Sequence, residues 1–307
     1  MDEPRAQHIL GGADPPSETT ATWPRPPVSV VILTQDEQVN IGPCLDSCGW
    51  SDDVHVLDSG STDRTVAIAE SMGAKVHHHP FESFGAQRNW AIDNIPLRHD
   101  WVFHLDADER FTRPLVEEMQ RRLAASPSEA GFYVPSKLIL LGRWLRRCGG
   151  YPTYQMRLFH KRRMRFIDYG HGQREKTDGK VGRLDEPYLH HNFSKGLDDW
   201  FARHNRYSAL EAREMLRESG TALRLRDLLG SDPVARRRAL KRLWYRMPMR
   251  PFLRLFLTLF VNGGILEGRQ GLLYASLLAA YERMTVLKAE ALRLERRSTD
   301  ASPAGAG

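Results

Sequence analysis

Cysteine is scarce in this chain. There are three, Cys44, Cys48 and Cys148, irregularly spaced and with no Cys-x-x-Cys. Such an odd, scattered set excludes a disulfide framework and a structural zinc site, and it fits a reducing cytosol. Also missing is any run of roughly 20 apolar residues, the length a helix needs to cross a bilayer. The N-terminus lacks the basic-then-apolar pattern of a signal peptide. Met1 to Pro27 is rich in Pro, Ala, Thr and Gly, which predicts a disordered leader, and Ser298 to Gly307 reads as a matching loose tail. No Gly-x-Gly-x-x-Gly follows the first predicted strand and no Walker A lysine loop occurs, so a dinucleotide-binding Rossmann domain and a P-loop are both disfavoured.

What is present is the composition of a soluble globular protein. The chain has 307 residues, 41% hydrophobic and 27% charged, enough to bury a sizeable core in one large or two modest domains. Its formal net charge of +6 points to an anionic partner. Nucleotide phosphates, acidic lipid headgroups and nucleic acid all satisfy that criterion.

Across residues 28–194, short apolar strands alternate with helical segments. Val28-Ser29-Val30-Val31-Ile32-Leu33 is a nearly continuous β-branched run, as expected of a strand covered on both faces. A polar helix is expected from about Asp36 to Ser47, a strand at Val54–Leu57, and a helix opening near Ser61-Thr62-Asp63 with Ser61 or Thr62 as cap. Gly73 closes that helix. Extended structure then resumes at Ala74–His77, a short helix covers Ala86 to Asp93, and a strand ends at Asp106. A further helix is predicted over about Thr112 to Ala125, with Pro114 in its first turn. This alternation predicts an α/β fold with a mainly parallel sheet.

Ligands of such sheets bind beyond the carboxyl ends of the strands. Three polar strand exits fall there: Thr34-Gln35-Asp36-Glu37, Asp58-Ser59-Gly60-Ser61-Thr62-Asp63 and Asp106-Ala107-Asp108-Glu109. Extended backbone would put Asp106 and Asp108 on one side with Ala107 facing away. Two carboxylates so placed can reach a hard divalent cation carrying a nucleotide diphosphate; the alternative is an acidic turn leading into the next helix. In the second exit, a tight turn and helix cap explain Gly60 and Thr62 but not Asp58.

This ordered set resembles the family 2 glycosyltransferases of the GT-A fold. Between the second and third exits, Phe84-Gly85-Ala86-Gln87-Arg88-Asn89-Trp90-Ala91 is similar to the segment that precedes the Asp-x-Asp strand in that family. The resemblance extends to Gly142-Arg143-Trp144 and Tyr154-Gln155-Met156-Arg157-Leu158-Phe159, and within the family it is nearest to the WaaE or KdtX-like lipopolysaccharide-core subgroup. It implies a nucleotide-diphosphate sugar donor, with Thr34, Asp36 and Glu37 in the nucleotide pocket. Asp58, with Ser59 beside it, would contact the base, and Arg88 the diphosphate or sugar. Asp106 and Asp108 would hold Mg²⁺ or Mn²⁺, Asp108 as the direct ligand. The resemblance also implies inverting transfer to a lipid-linked, lipopolysaccharide or other saccharide acceptor, which needs a carboxylate base. Where the subgroup carries Val-His-Glu, this chain reads Tyr169-Gly170-His171-Gly172-Gln173-Arg174-Glu175. Gln173 cannot take a proton, so Glu175 is the preferred base and Asp168 the second choice.

Residues 195–297 read as a helical region. From Arg236 to Arg254 the chain carries eight basic residues and no acidic one; Phe252 to Val261 is then apolar, broken by Gly263-Gly264. This reads as a surface anchor on an anionic membrane, placing the protein in the cytoplasm on the inner face of the plasma membrane. The alternative is an amphipathic packing helix. The arginines adjoin an apolar block rather than interleaved stacking aromatics, which disfavours nucleic acid. His77-His78-His79 and His190-His191 place neighbours on opposite strand faces, so structural or surface roles are expected rather than chelation. His204 to Tyr207 face either the acceptor or the helical core. Two competing functions are a nucleotidyltransferase, against which the lack of a Gly-rich basic first loop counts, and a non-catalytic membrane-surface binding protein.

Overall fold

The computed structural model describes residues 20–169, 172–219 and 233–301. Most of the expected leader and the end of the expected tail lie outside them. The chain divides into two compact units, one ending at Ser194 and the other beginning at Lys195.

In the first unit the strands are β1 (Val28–Thr34), β2 (Val54–Asp58), β3 (Lys75–His78), β4 (Trp101–Asp106), β5 (Glu109–Arg110), β6 (Gly131–Leu140), β7 (Arg143–Trp144), β8 (Thr153–His160), β9 (Arg165–Tyr169), β10 (Gly172–Lys176), β11 (Val181–Arg183) and β12 (Tyr188–His190). Helices α1 (Ile41–Ser47), α2 (Thr65–Ser71), α3 (Phe84–Asn94) and α4 (Arg113–Ala124) connect the first six. The main sheet runs β3-β2-β1-β4-β8-β6-β12-β5, with β7 and β11 also pairing to β6. Its β3-β2-β1-β4 half is parallel throughout. Antiparallel pairing begins where β8 joins β4 and β6.

The unbroken apolar run of β1 is explained by burial on both sides. Val28, Val30 and Ile32 enter a core with Ile41 of α1, Ala69 of α2 and Leu115, Val116 and Met119 of α4. Val31 enters the opposite core with Ala91 of α3 and Ile95 just beyond its end. Each such aliphatic side chain contributes about 1.5–3 kcal/mol by leaving water. The start of α4 is fixed locally: the Thr112 hydroxyl accepts from the Leu115 amide, and Pro114 occupies the first turn, where no amide is needed.

Some boundaries differ from expectation. Residues 36–40 are not helical, because Asp36 sits at φ 53° and its loop is tied sideways to the second strand exit. Helix α2 starts at Thr65 without a Ser61 or Thr62 cap; Asp63 accepts from the Thr65 amide instead. Part of the expected leader is packed, with a turn at Thr20–Thr22 and Trp23 against the core.

The second unit is helical: α5 (Gly196–Ser219), α6 (Pro233–Arg246), α7 (Arg250–Phe256) and α8 (Gly268–Ala301), with a π-helical turn at Leu257–Val261 and a 3-10 turn at Gly264–Glu267. The last helix continues past Ser298, where a loose tail was expected. The buried Glu282 carboxylate binds Arg250 and Arg254 and accepts from the Trp244 indole. His204 stacks on Trp200 and bonds its backbone carbonyl, contacts that give it a packing role. Among the described residues, no helix is long and apolar enough to cross a membrane.

Candidate active site

The pairing register brings the three polar exits side by side. Thr34 lies opposite Asp58 across β1 and β2, and Leu33 opposite Asp106 across β1 and β4. Parallel pairing and right-handed crossovers place all three at the carboxyl edge, with β1 in the middle.

The first two exits are stitched into one loop system. Asp36 Oδ1 accepts from the Thr62 amide and hydroxyl, while the Asp36 amide donates to Ser61 Oγ. The Glu37 amide donates to Thr65 Oγ1, and its carboxylate accepts from Asn40. Asp58, left over by the turn argument, is used by the turn: Oδ2 accepts from the Gly60 and Ser61 amides and Oδ1 from the Ser61 hydroxyl. Ser59 Oγ accepts from Gln87 of α3, and the buried Thr34 hydroxyl has no partner.

The third exit is a turn. Ala107 and Asp108 join β4 to β5, so Asp106 and Asp108 do not sit on one face of a continuous strand as extended backbone would have put them. Arg157 on β8 donates through Nη2 to Asp106 Oδ2 at 2.6 Å and Glu109 Oε1 at 2.5 Å. Arg88 Nη2 stands 3.5 Å from Asp106 Oδ1. Asp108 pairs instead with His190, Oδ2 to Nε2 3.3 Å, because β12 lies against β5.

These charges set one another's protonation. Burial opposes ionisation of Asp106, but Arg157 and Arg88 hold its pKa far below the usual range. Asp108 is likewise lowered, against burial, by the bond from His190, which is itself pushed up to about 9 despite burial. Burial, aided by Asp106, raises Glu109 to about 7. Arg88 falls to about 10 through burial and the neighbouring Arg157. His104 beneath them is pushed well below its ordinary value by burial and stacks on Phe166.

The surplus hydrogen-bonding capacity around Asp106 consists of guanidinium donors. Arg88 Nε and Nη1 and Arg157 Nη1 are buried and unpartnered. Buried donors of this kind are costly unless a ligand satisfies them, and guanidinium groups match phosphate oxygens. Among the described residues no group of three or more His, Cys, Asp or Glu could hold a metal by itself. The donor set nevertheless fits Mg²⁺ or Mn²⁺, hard cations commonly bound by one or two carboxylates with substrate phosphates completing the shell.

The two base candidates lie elsewhere. Asp168 and Glu175 belong to the separate β9–β10 hairpin, which Asn89 of α3 clips in place by bonding both polar groups of the Phe166 backbone. Asp168 accepts from the Ser83 hydroxyl and the Gly85 amide at the start of α3. Glu175 accepts from the Tyr133 hydroxyl. Gln173 shares the inward side of β10 with Glu175, and its Oε1 is buried without a partner. Gly170 and His171 lie outside the described residues. Arg157 in a functional role, Glu109 and His190 were missed: each acquires its partner only through β5, β8 or β12, whose pairing no local pattern announces.

A mixed sheet whose parallel half ends in three polar exits along one carboxyl edge is a framework for binding a ligand beyond that edge. Residues 29–174, the segment that carries all three polar exits, match the model of glycosyl transferase family 2. The chain is 28% identical over 283 residues to the lipopolysaccharide core biosynthesis glycosyltransferase LpsC of Rhizobium meliloti (strain 1021), covering 85% of this chain and 94% of that one. An uncharacterized glycosyltransferase of Rickettsia bellii (strain RML369-C) is 27% identical, over 62% of this chain and 68% of its own. Among solved structures, glucosyl-3-phosphoglycerate synthase from Mycobacterium tuberculosis in complex with Mg²⁺ and uridine diphosphate is 20% identical. The match covers 62% of this chain and 79% of that one, with a TM-score of 0.38.

Proposed function

We propose that this enzyme carries out metal-dependent, inverting transfer of a sugar from a nucleoside diphosphate to a lipid-linked acceptor of the lipopolysaccharide or exopolysaccharide type. The observation that carries this reading is the pair of buried arginines with spare N–H groups beside the Asp106–Asp108 turn. It is an anion site that retains two carboxylates for a cation. The similarity to LpsC over nearly all of that protein's length supports the acceptor class.

In this reading Thr34, Asp36, Glu37, Asp58 and Ser59 form the nucleoside side of the cleft. Arg88 and Arg157 bind the diphosphate oxygens and orient the anomeric carbon, and Asp106 and Asp108 hold the cation. Bound Mg²⁺ or Mn²⁺ supplies electrostatic stabilisation of the charge growing on the leaving diphosphate. The acceptor hydroxyl attacks the anomeric carbon as the bond to the diphosphate oxygen breaks, and its proton passes to Glu175, which the Tyr133 hydroxyl orients. Asp168, engaged at the start of α3, is the weaker candidate. The basic and apolar stretch of the second unit binds the anionic membrane surface on which the acceptor is presented. Its exposed Phe252, Phe256 and Phe260, four residues apart, support that role.

Calorimetry with uridine, guanosine and deoxythymidine diphosphates, with and without Mg²⁺ or Mn²⁺, tests the core of the proposal. One nucleotide should bind only with metal, and Asp108→Ala should abolish that binding. Metal-independent binding, unchanged in the variant, overturns it. Release of pyrophosphate from a nucleoside triphosphate and a sugar phosphate, in place of a nucleoside diphosphate from a sugar nucleotide, would identify a nucleotidyltransferase.

A further inference from the structure

The second unit has a cleft of about 500 Å³ that the transferase chemistry does not use. The turn between α6 and α7 forms one wall and α8 the other. Arg246, Arg250, Arg283 and Arg293 line it, and no acidic residue does. Arg283 has no carboxylate partner among the described residues. Arg293 makes only an exposed pair with Glu290, three residues back on its own helix.

Arg250 gives the cleft a built floor. Its side chain is only 3% exposed; Nη2 binds Glu282 at 2.6 Å, Nη1 meets the Met215 sulfur, and Nε has no acceptor. A thioether is a weak acceptor. Glu282 therefore anchors one edge of the guanidinium while much of its donor capacity stays unmet in a buried position. That is the condition under which an incoming anion is bound most strongly.

The rim has the opposite character. Between Pro248 and Pro251, Met249 takes the left-handed conformation, φ 52°, which is uncommon for a residue other than glycine. The turn leaves Met249 68% and Phe252 63% exposed, two apolar side chains standing in solvent beside an arginine-lined cleft. Phe256 and Phe260 extend the ridge along the same side.

We propose that this cleft binds a phosphate group carried on a lipid, the arginines taking the phosphate and Met249 and Phe252 packing against the first part of the acyl or prenyl chain. A free inorganic anion would use the floor but leave the rim in water. The proposal rests on the reading of this stretch as membrane-facing, and makes that contact selective for headgroup phosphate rather than dependent on charge alone.

The full chain would be titrated by calorimetry with monomeric dihexanoyl phosphatidic acid and, separately, with inorganic phosphate. Compared with wild type would be Arg283→Gln with Arg293→Gln, and a charge-matched control at two exposed arginines of the first unit, Arg25→Gln with Arg121→Gln. Expected are saturable lipid binding weakened at least tenfold by the cleft pair and less than twofold by the control, and phosphate at least tenfold weaker than the lipid. Equal losses in the two paired variants, equal affinity for phosphate, or no lipid binding would each overturn the proposal. Flotation with phosphatidylglycerol vesicles, using Phe256→Ser with Phe260→Ser, reads membrane docking separately. A chain that floats but shows no cleft-dependent phosphatidic acid binding loses the cleft and keeps the docking. One that binds the lipid through Arg283 and Arg293 but does not float loses the docking and keeps the cleft.

Discussion

At the amino ends of β1 and β2, the side chain of Asp53 is 1% exposed, and its oxygens are taken by the Ser29 hydroxyl, the Arg98 amide, His55 and Lys75. At the carboxyl end of β4, Asp106 is 39% exposed, and the two guanidinium groups that hold it retain unpartnered N–H donors. Both carboxylates have depressed pKa values against the pull of burial, Asp53 to about 2. A depressed pKa thus does not separate structure from function here. What separates them is closure: the Asp53 network leaves little to offer a ligand, whereas the Asp106 network is complete only when something anionic joins it.

That contrast can be broken by substitution, the effects on turnover falling in order. Asp108→Ala should lower transfer by about 10³-fold, the scale of losing a main electrostatic stabiliser, while the melting temperature changes little; initial rates and a thermal scan check both. Glu175→Gln should cost about 10²-fold with nucleotide affinity unchanged, as for loss of a general base. An unaffected rate in single-turnover assays would move the base elsewhere. Arg88→Gln should weaken nucleotide binding about tenfold, the value of one charge-assisted contact of roughly 1.4 kcal/mol, as read by calorimetry. Asp53→Asn should leave turnover per folded molecule unaltered yet destabilise the protein by on the order of 2 kcal/mol at neutral pH. Because the folded pKa of Asp53 is lowered, its contribution is present above pH 4 and is lost as pH falls toward 2. Urea titrations at pH 7 and pH 3 should therefore show the gap between wild type and variant closing on acidification.

The parallel half of the sheet was legible because β1, β2 and β4 are short apolar runs ending in polar exits, and each needs only its own residues to be recognised. Helix α4 announced itself through Thr112 and Pro114. The loop at 36–40 did not, since its helical composition is outweighed by bonds from residues of the second exit, about 25 positions away, that hold Asp36 in a left-handed conformation. The Asp106–Asp108 turn was legible as a candidate site but not as a shape. Its bend depends on β5 pairing with β12, and strands of two and three residues carry too little periodicity to be read. Arg157 looks like a surface cation until the antiparallel β4–β8 pairing buries it beneath Asp106. The adjacent histidines were expected in structural or surface roles, yet His190 lies at the candidate site as the partner of Asp108.

Thr34, Asp58 and Asp106 terminate three neighbouring, hydrogen-bonded strands. Adjacent strands lie about 4.8 Å apart, so the backbones at Asp58 and Asp106 are roughly 10 Å apart across β1. That interval is a ruler made of peptide groups. Side-chain rotation can adjust what each end grips, but the span between the grips changes only if a strand slips its register. Variation among enzymes built on this edge should therefore alter which group is held at each mark and leave the graduation of the scale untouched.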